Sequence, residues 1–389
     1  MFLQGFTMQG KIPLFILCPN ALLGQQARSA RAVAKVVVCA WERAFGQRGP
    51  SLGSLIDNAF KETKVETLAG DGASPEHIQA RVAVRVRNMR TLPAMPEIVL
   101  RIMKMVGDPN SSAQDMEELL LSDVAIVEKL LQVINSPFFG GVAHQGEWTL
   151  KEAIVRMGLK KVGAVAQQVK MMNSFARPED SKFDLRRFWE HSVGCSMLAD
   201  KIISSELIEF EGTIEFDDYW IGAILHDIGK LVPGLFFWDF FEMVLTNMQG
   251  SGAGAAEAKQ AVEASAVDAA SPSGMISYRD AENTLPDTPT HETVGQLMLM
   301  KSNIKDDLVQ VLQSHHQISA SSTTLVCLAH LVDNISKDLG MACVEGEPAQ
   351  YSELALQRFG LDEASLTKLK ETLNEFIVPE IKAMVGKCL

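Results

Sequence analysis

The sequence of 389 residues predicts an all-α protein. Apolar residues recur at helical spacing along most of its length. Alternating β-branched runs, which would indicate strands, reach no useful length. Hydrophobic residues make up 47% of the chain and charged residues 22%, a balance typical of a folded globular protein.

Charge and cysteine usage restrict the class of protein. The net charge of −12 argues against general nucleic-acid binding, which needs clustered basic residues, but it allows a small phosphorylated ligand in a local pocket. The six cysteines are scattered and form no C-x-x-C pair, which is typical of a reducing compartment. No apolar run approaches the roughly 18 to 20 residues of a membrane helix, so we expect a cytoplasmic protein without a membrane partner.

The first part of the chain predicts short helices. We interpret residues 1–80 as an N-terminal helical extension with a linker. After it, Pro96 opens an amphipathic helix at a helix-start position. Asp123 begins another helix, and Thr149 with Glu152 three residues later forms a capping box.

The second part predicts longer helices and one interruption. We expect a helix over residues 184–203 and another over residues 216–230. Residues 249–275 are rich in Ala, Ser, Gly and Glu, which indicates a flexible insertion. Helical periodicity resumes at Thr290, and residues 346–389 form a C-terminal helical tail.

An adjacent His226-Asp227 pair ends the apolar run of the helix over residues 216–230. Neighbouring side chains on a helix point about 100° apart, so these two can reach one ion from two directions. His191 shares an inward face with Cys195. His291 begins a later helix, and Asp333 lies on the apolar face of another.

The histidine pattern has two interpretations. A single inward-facing histidine, or Asp333 paired locally, is more often a satisfied core residue than a ligand. However, five of the eight histidines fall at inward or helix-end positions, namely His191, His226, His291, His315 and His316. Burying so many imidazoles is costly unless they satisfy one another or a cation.

A mixed set of histidine and aspartate suits one or two divalent ions such as Fe, Mn, Zn or Mg. Such an ion activates water for attack on phosphorus. Asp227 and Lys230 are then the candidate catalytic residues, with Lys230 neutralising phosphate charge. The ordinary alternative for Lys230 is a side chain that extends along apolar surface to solvent.

The same residues carry a resemblance to a known family. The order His191, His226-Asp227, Asp333 resembles the H…HD…D signature of the HD metal-dependent phosphohydrolase superfamily. The preceding block resembles the N-terminal half of the HDOD family, the bacterial HD-related output domains. Its motifs are Leu92-Pro93-Ala94-Met95-Pro96-Glu97, Ser122-Asp123, Ile134-Asn135-Ser136-Pro137 and Ala153-Ile154-Val155-Arg156-Met157-Gly158.

The resemblance implies an HD-domain-like helical bundle preceded by a smaller helical subdomain. We assign residues 81–345 to this HDOD domain, with an N-terminal half at 81–180 and an HD-like half at 181–345. It also implies a role in signal transduction, with protein signalling partners. Many HDOD proteins have lost hydrolase activity.

Two departures from the family bear on activity. The HD ligands are all present, and His291, His315 and His316 resemble positions that hold further metals in HD-GYP phosphodiesterases. The GYP loop, however, is replaced by Gln317-Ile318-Ser319-Ala320, and the familiar Asp-Pro reads Asp123-Val124. Hydrolysis of cyclic di-GMP by the HD-GYP route is therefore not expected.

Three functions follow, in decreasing order of support. The first is a non-catalytic or weakly catalytic regulator with an HD-type metal site. The second is a metal-dependent phosphohydrolase acting on a nucleotide or cyclic (di)nucleotide. The third is a helical scaffold whose histidines satisfy one another. The missing GYP residues favour the first, and the retained ligands favour the second.

Overall fold

The computed structural model describes residues 96–139, 147–175, 181–250, 274–285, 288–299 and 304–389. The chain divides between Ser74 and Pro75, and all described residues belong to the second unit. Every regular element within these ranges is helical, which confirms the all-α prediction. The expected N-terminal extension and most of the expected insertion lie outside the described residues.

Five helices form the first half of the described chain. They are α1 (Glu97–Gly107), α2 (Ala113–Leu121), α3 (Val124–Ile134), α4 (Leu150–Met157) and α5 (Leu159–Ser174). The predicted caps are confirmed, because Asp123 accepts the backbone N–H of Ile126 and Thr149 exchanges hydrogen bonds with Glu152. These side chains satisfy backbone donors that a helix start leaves unpaired.

Eleven further α-helices are described after α5, and the predicted site residues belong to the first eight of them or to the turns between them. These eight are α6 (Leu185–Ser204), α7 (Phe216–Leu225), α8 (Leu231–Phe236), α9 (Trp238–Met248), α10 (Tyr278–Asn283), α11 (His291–Leu299), α12 (Asp306–Ser314) and α13 (Thr324–Asp338). The last three are α14 (Glu353–Arg358), α15 (Glu363–Phe376) and α16 (Val378–Cys388). Helix α6 is central and packs against α7, α13 and α16.

The prediction of a single helix over residues 216–230 is wrong for its last five residues. Helix α7 ends at Leu225, and a 3-10 turn at Ile228–Lys230 leads into α8. The turn brings the backbone of Gly229 against the start of α11, where a side-chain Cβ would lie 1.9 Å from the carbonyl oxygen of His291. A glycine is required for this approach, and the approach holds α11 beside the His-Asp pair.

Helix α10 was not expected from the sequence. The backbone N–H of Ile276 donates to the carbonyl oxygen of Met248, which returns the chain to the end of α9. Ser277 then caps α10 by accepting the N–H of Asp280. Regular structure therefore resumes at Tyr278, twelve residues before the predicted position of Thr290.

Two further findings concern the whole described part of the chain. No helix within it is long and apolar enough to cross a membrane. Its four cysteines, Cys195, Cys327, Cys343 and Cys388, are buried free thiols.

Candidate metal centre

Four predicted ligands converge in the core between α6, α7 and α13. The Nε2 atom of His191 lies 3.3 Å from Oδ2 of Asp227, 3.4 Å from Oδ1 of Asp333 and 3.2 Å from Nε2 of His226. All four residues are at most 1% exposed. We call this group, formed by His191, His226, Asp227 Oδ2 and Asp333, the α6 pocket.

The remaining three predicted ligands meet on the other side of Asp227. Its Oδ1 atom lies 3.3 Å from Nε2 of His291 and 3.6 Å from Nε2 of His315. His316 completes the set, and the four ligand atoms lie within 4.8 Å of one another. We call this group, formed by Asp227 Oδ1, His291, His315 and His316, the α11 pocket. Asp227 is shared, with one oxygen facing each pocket.

The imidazoles are oriented from behind by hydrogen bonds at Nδ1. His226 donates to the carbonyl oxygen of Ala223 at 2.7 Å, and His315 donates to that of Val311 at 3.0 Å. The Nδ1 atom of His191 lies 3.1 Å from the carbonyl oxygen of Met341. A backbone carbonyl can only accept, so each Nδ1 carries the proton and each Nε2 is directed inwards, as in metal-ligating histidines.

Several buried atoms of the two pockets have no hydrogen-bond partner. They are Oδ1 of Asp227, Oδ1 of Asp333 and the Nε2 atoms of His291, His315 and His316. Leaving such polar atoms unpaired in the core is costly. A cation in each pocket would satisfy these atoms, and nitrogen and carboxylate ligands suit Fe, Mn or Zn. The residues therefore fit a divalent metal ion.

Two buried lysines balance the negative charge of the Asp227 and Asp333 carboxylates. Lys230 donates to Oδ2 of Asp227 at 2.6 Å, and Lys337 donates to Oδ2 of Asp333 at 2.9 Å. Burial raises the pKa of both carboxyl groups, but the lysines outweigh it and hold each pKa well below its usual range. Lys230 is 0% exposed, so the expectation that it reaches solvent along the surface is wrong.

The protonation of the histidines differs between the pockets. Burial lowers the pKa of His291 and of His316 well below the usual value, with nearby positive charge adding to it, so both are neutral. Burial also acts on His191, but Cys195, Asp227 and Asp333 outweigh it and raise its pKa well above the usual value. A proton on His191 and a divalent ion are thus alternative ways to neutralise the α6 pocket.

Sequence reasoning did not find the carboxylate behind His291. Glu282 of α10 is buried, and its two oxygens accept the backbone N–H of His291 at 2.9 Å and its Nδ1 at 2.6 Å. Burial raises the pKa of Glu282 to about 8, against the opposing effect of Lys230. The capping pair of Ser277 and Asp280 in the sequence is the signal that could have located α10.

Two other buried groups were also missed. Lys337 lies one turn after Asp333 and forms a second ion pair at 3.1 Å with Glu347, from the loop after α13. His330 accepts the backbone N–H of Ser352 at Nε2 and donates from Nδ1 to the carbonyl oxygen of His315. Both ring nitrogens form hydrogen bonds, so His330 connects two chain segments and has no nitrogen left to bind a metal.

A comparison with protein families matches residues 92–271 to the HDOD domain model. The protein contains an HDOD domain. The matched residues include His191, His226 and Asp227 and end before α10. A search of curated proteins found no match.

Several solved structures share this fold. An HDOD domain protein of unknown function from Geobacter sulfurreducens matches 80% of this chain and 99% of its own, with 19% identity and a TM-score of 0.56. A protein from Shewanella amazonensis SB2B described as a candidate metal-dependent phosphohydrolase has 17% identity and a TM-score of 0.51, covering 80% of this chain and 100% of its own.

A candidate signal transduction protein from Marinobacter aquaeolei VT8 is similar as well. It has 16% identity and a TM-score of 0.56, and the match covers 81% of this chain and 65% of the Marinobacter protein. At these identities the similarity shows the fold of the HDOD domain.

Proposed function

We propose that this HDOD protein is a bacterial signal-transduction regulator, non-catalytic or weakly catalytic, that holds one or two divalent ions in a closed core. The observation that carries this proposal is a complete ligand set in which every member except His316 is buried. A buried set of this kind binds and responds to metal more readily than it admits a substrate. We place the protein in the cytoplasm, with protein signalling partners.

Each residue has a definite part in this proposal. His191, His226, Asp227 and Asp333 hold one ion, and Asp227, His291, His315 and His316 hold the second. When bound, a divalent ion supplies positive charge that ties helices α6, α7, α11 and α13 together and polarises oxygen ligands. Lys230 and Lys337 fix the rotamers of Asp227 and Asp333 through ion pairs.

Burial favours regulation over hydrolysis. Lys230, the residue expected to neutralise phosphate, is 0% exposed and its ammonium group already donates to Asp227. It also lies 4.7 Å from the centre of the Tyr278 ring.

The second candidate is a metal-dependent phosphohydrolase acting on a nucleotide or cyclic (di)nucleotide. The complete ligand set favours it, with Asp227 and Lys230 as the catalytic residues. A small cavity reaches Glu282 and His291, and its other lining residues are Pro233, Phe237, Phe240, Pro289 and Val294. These walls are apolar and offer no cation for a phosphate, which ranks this candidate second.

The test combines metal content with hydrolysis. We expect the purified protein to contain a divalent metal by mass spectrometry and Asp227→Ala to lose it, with hydrolysis of bis(p-nitrophenyl) phosphate and cyclic di-GMP absent or weak. Asp217→Ala is the matched control, because Asp217 is buried on the same α7 but pairs with Lys305. Metal-dependent turnover that Asp227→Ala abolishes would support the second candidate. Metal-free protein with an intact fold would refute the metal centre.

A further inference from the structure

The two pockets carry unequal charge, although they share Asp227. We propose that the α11 pocket retains its ion and that the α6 pocket binds a second ion weakly and exchangeably. Glu282 and Lys337 act as positioning residues that set this difference. The inference rests on the proposed metal centre and states the order in which its two pockets bind metal ions.

Each carboxylate of the α6 pocket forms an ion pair with a buried lysine. Lys230 contacts Oδ2 of Asp227 at 2.6 Å, and this is the oxygen that faces the α6 pocket. Lys337 contacts Oδ2 of Asp333 at 2.9 Å. An ion in this pocket would share both carboxylates with ammonium groups, and in a buried site such repulsion is only weakly screened.

The α11 pocket differs from the α6 pocket in its direct contacts. Within the described residues, no lysine pairs with Oδ1 of Asp227, the oxygen that faces it. Behind it, Glu282 accepts from Nδ1 of His291 at 2.6 Å. A side-chain oxygen in this position orients the ring so that its Nε2 atom faces the pocket. Three imidazoles with inward-facing Nε2 atoms and one carboxylate oxygen then form a set that needs a cation.

The consequence is a protein with two metal states. At low free metal only the α11 pocket is filled, and the carboxylates of the α6 pocket are neutralised by Lys230 and Lys337. At higher free metal the α6 pocket fills too. The proportion of the two states then depends on metal availability, which suits a regulator better than a fixed structural ion would.

The test is a calorimetric titration of chelator-stripped protein with Mn²⁺. We expect two steps whose dissociation constants differ at least about tenfold. Two variants assign the steps to pockets: His315→Ala should remove the tight step, and Asp333→Asn should remove the weak one. Two equal steps in the unsubstituted protein would overturn this inference alone, whereas no Mn²⁺ binding would overturn the metal centre as well.

Two positioning variants test the cause. Glu282→Gln should weaken the tight step about 10- to 100-fold and leave the weak step unchanged. Lys337→Met should tighten the weak step about tenfold or more, because it removes a positive charge beside Asp333. Lys305→Met is the matched control, since Lys305 pairs with Asp217 and Asp218 and touches neither pocket. An unchanged weak step in Lys337→Met would refute the proposed cause.

Lys337→Met also leaves Glu347 without its buried partner, which can prevent folding. The double variant Lys337→Met/Glu347→Gln removes both charges and avoids this problem. Circular dichroism should show unchanged helix content, and the weak step should again tighten. A double variant that folds and binds both ions as the unsubstituted protein does would refute the role of Lys337.

Discussion

The close contact between Gly229 and α11 is the most sharply defined constraint on the site. A Cβ at residue 229 would lie 1.9 Å from the carbonyl oxygen of His291 and 2.7 Å from the backbone nitrogen of Gly295. Both neighbours are backbone atoms of α11 and cannot rotate away. In Gly229→Ala, α11 must therefore move by about 1 Å or more to restore a contact of 3.0 Å.

This displacement has two expected effects. Overpacking of a tight core contact destabilises a protein by about 1–3 kcal/mol, and we expect Gly229→Ala to fall at the upper end of that range. His291 begins α11, and its Nε2 lies 3.3 Å from Oδ1 of Asp227. Moving the helix changes this separation, so the α11 pocket should lose most of its affinity for metal.

Urea unfolding followed by circular dichroism measures the first effect, and metal content after dialysis measures the second. Gly222→Ala is the matched control, because its added Cβ would meet Leu308, Val311 and Leu325 at ordinary distances of 3.5 to 3.7 Å. It should be neutral or stabilising by up to about 1 kcal/mol, as expected for Gly→Ala within a helix. If Gly229→Ala retained both the stability and the metal of the unsubstituted protein, the geometric reasoning would be wrong.

Three further outcomes follow from the structure. Thr149→Ala removes a capping box and should lower the free energy of unfolding by about 1 kcal/mol, measured by urea titration. Burial lowers the pKa of His330 to about 4, so the folded protein favours the neutral ring. The free energy of unfolding should therefore decrease as the pH falls from about 6.5 to 4. The variant His330→Gln should flatten that part of the pH–stability profile. Mn²⁺ at about 100 times the dissociation constant of the tight pocket should raise stability by about 2.7 kcal/mol, and a calorimetric melt that is unchanged by Mn²⁺ would contradict this.

Short-range patterns in the sequence located most of the fold. Helix starts at Asp123 and Thr149 were predictable because a cap and its backbone partner lie within three residues. His226 and Asp227 were found for a similar reason, since they end one apolar helical run. The convergence of His191 and Asp333 on that pair was expected from the family resemblance, because residues so far apart in sequence meet only through tertiary packing.

The missed residues depend on contacts that no local pattern encodes. Glu282 reaches His291 across a chain reversal, from a helix of six residues that follows a segment of unusual composition. Lys230 looked like a surface lysine because one of its contacts, the ring of Tyr278, is 48 positions later in the sequence. Glu347 meets Lys337 only because the loop after α13 folds back. Each of these contacts requires the assembled bundle.

The most direct test of the central claim is anomalous X-ray scattering from crystals of the protein grown with Mn²⁺. We expect a peak bounded by Asp227, His291, His315 and His316, and a second, weaker peak between His191, His226 and Asp333. A well-ordered core without an anomalous peak at either position would show that these side chains satisfy one another, and the metal centre proposed for this HDOD protein would be wrong.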